Sequence, residues 1–294
     1  MRKSSSRTTF NEAASSHSGG SLDGEGTLRF GGKYQGSSFS ELLDVDFSHL
    51  RPDLSRLSEH DFKELSIPHG TTVLSFKYAD GVVMAGDRLA TEGHRVASRD
   101  IQKVYATDAH SVVAIAGAAG PAIEMARILR VELEHYEKIE GEPLELEGKA
   151  NKLSQMIRQN LPMAMQGLVV VPLFAGYDLR RHSGRLWKFD VTGGRYEETD
   201  FEATGSGGLY ASESIKKAHD PAASRTDALR VAVEALTDSA DQDRATGGID
   251  VERGIYPIIG FCTEAGIDFG GDSEIEVVYR DIMARRRSRS GVSS

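Results

Sequence analysis

The sequence predicts an α+β fold in which two β-sheets stack on one another and helices cover their outer faces. Three observations predict it. Strand-length apolar runs come in groups: from Thr72 to Ala116, from Leu168 to Thr199, and again from Gly254 to Cys262. The intervals between these groups each hold two segments with apolar residues at the 3.6-residue period. Turn signals at Ala79-Asp80-Gly81 and Gly193-Gly194 mark hairpins within the groups. Strand groups separated by pairs of helices suggest four layers, αββα.

In chain order, the first forty residues hold ten Ser and seven Gly. Such a segment buries too little apolar surface to offset its ordering entropy, so it reads as largely disordered. Residues 41–66 carry Leu42, Leu43, Val45, Phe47, Leu50, Leu54 and Leu57 among charges, and read either as short docking helices or as a mobile leader. Strands are expected at Thr72–Tyr78, Gly81–Ala85, Val104–Ala106 and Ser111–Ala116. Gly117-Ala118-Ala119-Gly120-Pro121 then breaks the sheet and opens a helix with Pro in its first turn. That helix aligns Ala122, Met125, Ala126, Leu129, Leu133 and Tyr136; a second aligns Leu153, Met156, Ile157, Leu161 and Ala164. Strands return at Leu168–Tyr177, Arg185–Val191 and Arg195–Thr199. Val169-Val170-Val171 is apolar without alternation, as in a strand covered on both faces. Helices follow near Leu209–Ala218 and Thr226–Ala240, then the strand Gly254–Cys262 and a closing helix carrying Ile275, Val278, Tyr279 and Ile282. Arg285–Ser294 reads as a basic, disordered tail.

The bulk numbers exclude several classes. A net charge of −9 argues against a nucleic-acid partner. One cysteine, Cys262, permits no intrachain disulfide and suits a reducing cytoplasm. No apolar stretch approaches the roughly 18 residues of a membrane span, and no apolar segment follows the basic start Met1-Arg2-Lys3. The nine histidines show no ligand spacing, so no metal is expected, and no Gly-rich turn follows a phosphate-cradling pattern, so no cofactor is expected either.

The chemistry concentrates at Gly70-Thr71. A Gly before a Thr that opens a strand is where a self-cleaving precursor would cut. Once cut, Thr71 would carry a hydroxyl and a free α-amine, a nucleophile and a base on one residue. While Gly70 is attached, that nitrogen is an amide with no basic lone pair. Asp87 lies sixteen residues on and Lys103 sixteen beyond that. A cation near the α-amine favours its neutral form, which makes it a usable base near neutral pH. The sequence leaves open whether the amine or Lys103 takes the hydroxyl proton.

Gly70-Thr71-Thr72-Val73, Val83-Met84-Ala85-Gly86-Asp87-Arg88, Lys103-Val104-Tyr105, Ala114-Ile115-Ala116-Gly117, Gly205-Ser206-Gly207 and Ala245-Thr246-Gly247-Gly248-Ile249-Asp250 together resemble the β subunits of proteasome core particles. The likeness runs from Gly70 to about Met283. Val131–Lys138 and Met165-Gln166-Gly167-Leu168 resemble the actinobacterial branch, as does a long leader ending in Gly. The resemblance implies the N-terminal-nucleophile hydrolase fold, a four-layer αββα sandwich, with residues 1–70 removed by autocleavage and 71–284 as the catalytic domain. It implies a threonine endopeptidase with Thr71 as nucleophile, Asp87 and Lys103 beside it, Ser206 against the terminal amine, and Asp243 with Thr246 in support. The family more often has serine where Thr246 stands; a hydroxyl is kept. Gly117 falls where the family supplies an oxyanion-hole N–H. Ala90, Ile101, Ile115 and Ala119 match the specificity pocket and, being small or apolar, imply cleavage after apolar residues. Thr91 matches a position that pairs with extended substrate.

The implied partners are proteasome α subunits, further copies of the chain in seven-membered rings, a ring ATPase that unfolds substrates, and protein-tagged substrates. Three other readings compete: a non-catalytic scaffold subunit, the simpler dodecameric bacterial peptidase of the same fold, and a different N-terminal-nucleophile amidohydrolase with distinct substrate pockets.

Overall fold

The computed structural model describes residues 70–92 and 95–289. The expected disordered leader lies outside them, as do Ser290–Ser294. Six strands come first: β1 Thr72–Tyr78, β2 Gly81–Gly86, β3 Ala90–Glu92, β4 Arg95–Ser98, β5 Val104–Ala106 and β6 Ser111–Gly117. Helices α1 (Ala119–Glu140), α2 (Leu146–Gln159) and the single turn α3 (Leu161–Ala164) follow. Then come β7 Val170–Asp178, β8 Ser183–Phe189, β9 Arg195–Glu198 and β10 Phe201–Gly205. Helices α4 (Gly208–Ala218) and α5 (Arg225–Gln242), strands β11 (Ile258–Thr263) and β12 (Gly266–Phe269), and helix α6 (Asp272–Arg289) complete the described chain.

The strands form two antiparallel five-stranded sheets, ordered β10-β1-β2-β11-β12 and β5-β6-β7-β8-β9, with β3 and β4 as a separate hairpin. Three apolar clusters fill the spaces between layers. Val73, Val82, Met84, Val112, Ala114, Leu173 and Leu186 lie between the sheets. Leu74, Phe76, Val83, Ile259 and Phe261 of the first sheet pack on α4, α5 and α6 through Ile215, Leu229, Leu236 and Ile282. Ile115, Phe174 and Trp187 of the second sheet pack on α1 and α2 through Leu129, Leu133, Leu153 and Ile157. Alternation along β1 sends Val73 to one interface and Leu74 to the other, as the two-residue strand period requires. The expected αββα layering is the observed one.

The differences have local causes. β3–β4, β10 and β12 did not stand out as strands because they are short, largely exposed or half-buried, and lack an apolar repeat. The expected second helix stops at Gln159; Pro162 begins a separate turn, so Leu161 and Ala164 leave its buried face. In α1 the buried stripe ends at Leu133, and Tyr136 is exposed with the whole of residues 134–140. The basic run expected to be disordered from Arg285 is helical as far as Arg289. Arg286 explains this: its guanidinium meets Asp238 at 2.5 Å and Asp241 at 3.1 Å on α5. Among the described residues no helix is long and apolar enough to cross a membrane.

Trp187 is buried between the second sheet and its helices, 5.9 Å from the Phe174 ring centroid. Trp187→Ala should lower the unfolding free energy by about 3–5 kcal/mol, read as a lower urea midpoint at unchanged slope, whereas a loss under about 1 kcal/mol would contradict this packing.

Candidate active site

Antiparallel pairing brings four strand ends to one place. Thr72 opens β1 opposite Gly205, the last residue of β10; Val73 pairs with Gly86, the last of β2. Thr71, Ser206 and Asp87 are therefore each one step beyond neighbouring strand ends. In the other sheet Val104 opens β5 beside β6, which leaves Lys103 at the same end of the sandwich. Asp243 caps the C-terminus of α5. A carboxylate there faces the negative end of the helix dipole, so it needs local donors.

The donors are present. Asp243 Oδ2 accepts from the hydroxyls of Ser206 at 2.5 Å and Thr246 at 2.6 Å, and Oδ1 accepts from the Ala245 N–H at 3.1 Å. Burial pushes this carboxyl up, but those hydrogen bonds and the Lys103 charge outweigh it and hold it below the usual aspartate range. The Thr71 N–H donates to Ser206 Oγ at 3.4 Å. The threonine at 246 thus makes the carboxylate contact expected of a hydroxyl there.

A second centre lies deeper. Asp87 is 1% exposed and Lys103 5%. Lys103 Nζ donates to Asp87 Oδ1 at 2.6 Å and to the Leu89 carbonyl at 2.7 Å. Asp87 also accepts from the N–H groups of Thr72 (2.8 Å), Leu89 (2.9 Å) and Gly247 (2.8 Å). Three backbone donors and one ammonium surround this buried carboxylate, as its desolvation demands. Burial is the largest influence on Lys103 and pulls its pKa below the ordinary lysine value, against the opposing pull of Asp87 and Asp243. Burial and the two carboxylates thus pull this lysine in opposite directions, and burial has the larger pull.

Both centres meet the Gly70–Thr71 peptide. The Thr71 hydroxyl donates to the Gly70 carbonyl at 2.6 Å, and Lys103 Nζ approaches the same oxygen at 3.4 Å. Gly70 is packed so closely that a Cβ on it would lie 2.5 Å from the Ala245 carbonyl oxygen and 2.6 Å from Thr91 Oγ1. Only a residue without a side chain fits there. Gly117 has φ +116°, and a Cβ there would sit 2.2 Å from the Val169 oxygen. This sharp bend turns β6 into α1 beside Thr71.

A cleft of about 250 Å³ opens next to Thr71. Ala90, Thr91, Ile101, Ile115, Gly117 and Ala119 all line it, so every residue expected at the pocket is in its wall. Gln102, Tyr105, Ile123 and Leu168 also line it and were not anticipated. Neither were the Thr72 hydroxyl, the Leu89 carbonyl and the Gly247 N–H. The last two are backbone groups, which carry no signal in residue type.

Removing Asp87 leaves an ammonium buried without its counter-charge. Asp87→Ala should cost about 3–5 kcal/mol of stability near neutral pH. The sign of the pH dependence follows from the lysine: Asp87 opposes the lowering by burial, so the variant's lysine value lies below that of the natural chain, and between those two values only the variant takes up a proton on unfolding. The loss should therefore be full at neutral pH below that window and shrink as pH rises through it, in urea titrations at several pH values. A loss that grows with pH would contradict the account.

Comparison with known proteins identifies the family. The proteasome subunit family model matches residues 67–252. A proteasome subunit beta of Streptomyces griseus subsp. griseus is 53% identical over 219 residues, 74% of this chain and 78% of the relative. The corresponding protein of Acidothermus cellulolyticus is 52% identical over 259 residues, 87% and 89% of the two chains. That of Rhodococcus erythropolis is 49% identical over 273 residues, 90% and 92%. A match over most of the domain, with half the residues identical to actinobacterial β subunits, places this chain in the proteasome subunit family.

Proposed function

We propose that the chain is a catalytic β subunit, a threonine endopeptidase made as a precursor and cut between Gly70 and Thr71. The observation that carries the reading is the Thr71 hydroxyl seated on the Gly70 carbonyl, 2.6 Å away, above the Asp87–Lys103 pair. In the first reaction the Thr71 oxygen bonds to the Gly70 carbonyl carbon and the C–N bond breaks. The hydroxyl proton passes to the departing nitrogen, directly or through Lys103. Water then hydrolyses the ester, releasing the Gly70 carboxylate and restoring the hydroxyl, now beside a free amine.

In the second reaction the same oxygen attacks a substrate carbonyl. The amine or Lys103 takes the proton; a cation beside the amine favours its neutral form, and burial loosens the lysine's hold on its own proton. Gly117 would offer its N–H to the oxyanion, and Ser206 with Asp243 and Thr246 would hold the amine. Ala90, Ile101, Ile115 and Ala119 give the cleft an uncharged wall, and its lysine, Lys103, is engaged by Asp87, which supports apolar residues before the cut. Thr91 would pair with extended substrate backbone. As in the family, the chain would work in seven-membered rings with α subunits, in the cytoplasm, on substrates tagged and unfolded by a ring ATPase. Intact Thr71, Asp87 and Lys103 count against a purely structural subunit.

Thr71→Ala should abolish leader removal and cut peptide hydrolysis by more than about a thousandfold while leaving the urea midpoint unchanged. Intact mass and a fluorogenic peptide assay on assembled particles check this; an alanine chain that sheds residues 1–70 or hydrolyses peptide would contradict it. Gly70→Val should slow or block leader removal because its side chain meets Ala245 and Thr91. Processing at the normal rate would show that the close packing does not govern the cut.

A further inference from the structure

We propose that Thr72 is a positioning residue, whose hydroxyl ties the two carboxylate centres together and so fixes Thr71 between them. The inference rests on the reading of Thr71 as nucleophile.

Thr72 is fully buried and has two arms. Its N–H donates to Asp87 Oδ1, the oxygen that also holds Lys103. Its hydroxyl lies 2.6 Å from the Thr246 hydroxyl. The direction of that second bond follows from the neighbours. A carboxylate only accepts, so the single proton of Thr246 is committed to Asp243 Oδ2. Thr246 can then only accept from Thr72, and Thr72 is the donor. Asp243 Oδ2 likewise takes the Ser206 proton, which leaves the Ser206 lone pairs for the nitrogen of Thr71. The bonds make a continuous path: Lys103, Asp87, Thr72, Thr246, Asp243, Ser206, Thr71. Residue 72 is where the path passes from one centre to the other.

The surroundings leave no slack. A Cβ on Gly207, next to Ser206, would lie 2.2 Å from Thr72 Oγ1 and 2.5 Å from Thr246 Oγ1. The hydroxyl pair fills the space against the Ser206 turn. Before the cut, Thr71 is held from both sides, with Gly70 wedged against Ala245 and Thr91. After the cut its only covalent tether is residue 72. The bonds of Thr72 then decide where the terminal amine and hydroxyl sit. Misplacement of reacting groups by about 1 Å can cost about a hundredfold in rate, so loss of one anchor should be visible in turnover.

The test compares full-length Thr72→Val, which keeps the β-branch and loses the hydroxyl, with Thr72→Ser, which keeps the hydroxyl. Both are assembled into particles and their leader state is read by mass. The valine chain should lose about tenfold in kcat with KM nearly unchanged. The acid limb of its kcat/KM profile should move to higher pH, because an amine no longer held near Lys103 feels less of that charge. The serine chain should stay within about twofold of the natural one. Normal turnover and pH profile in the valine chain, or equal damage in both variants, would overturn the proposal. Should the valine chain not assemble, Thr72→Ala takes its place: serine active with alanine impaired supports the proposal, and equal activity overturns it. Thr71→Ala is measured alongside. If it is inactive while the valine chain is normal, this inference fails alone; if it is active, the nucleophile reading fails and takes the inference with it.

Discussion

A lysine ammonium and an aspartate carboxylate, both almost wholly removed from water, lie beside the Gly70–Thr71 peptide bond. Such a pair costs desolvation energy that a pair of well-packed apolar residues would not. The fold meets that cost with geometry. Three backbone N–H groups converge on Asp87, and the Leu89 carbonyl takes a second lysine proton. Each comes from a different stretch of chain: the start of β1, the segment after β2 and the loop after α5. The pair can exist only when those stretches are in register, so the site is a product of the whole sandwich rather than of one loop.

The lysine that results is poised. Burial weakens its hold on its proton, while Asp87 and Asp243 strengthen it. A lysine whose proton is loosened by burial and held by carboxylates is suited to take part in an acid–base step. Its reach to the Gly70 carbonyl puts that balance where a peptide bond lies. The second carboxylate, Asp243, is kept ionised by hydroxyls and orients them, so it shapes the site through the direction of hydrogen bonds.

Much of the fold was legible because burial leaves a period in the sequence. Strands covered on both faces and helices with apolar stripes at Ala122–Leu133 or Leu229–Leu236 declared themselves. Elements that bury little did not: the β3–β4 hairpin and the edge strand β12 have few apolar positions to repeat. The helical run to Arg289 was missed for another reason. Its anchor is Arg286 on acids of α5, a pairing that only the fold creates. At the site, the side chains of Thr71, Asp87, Lys103, Ser206, Asp243 and Thr246 could be named in advance. Their mutual distances, and the backbone groups of Leu89 and Gly247 that complete the cage, could not. Thr72 looked like an ordinary strand residue because its partner Thr246 lies 174 positions away.

On the proposed reading, Thr71 freed at its amine carries the nucleophilic oxygen of the active particle. Trapping assembled, hydrolysing particles with a slowly turned-over peptide ester, followed by tandem mass spectrometry, tests it most directly. The expected result is an acyl group on the oxygen of an N-terminal Thr71, in a chain covering residues 71–294. An acyl group on another residue, or an active chain still joined through Gly70, would contradict it.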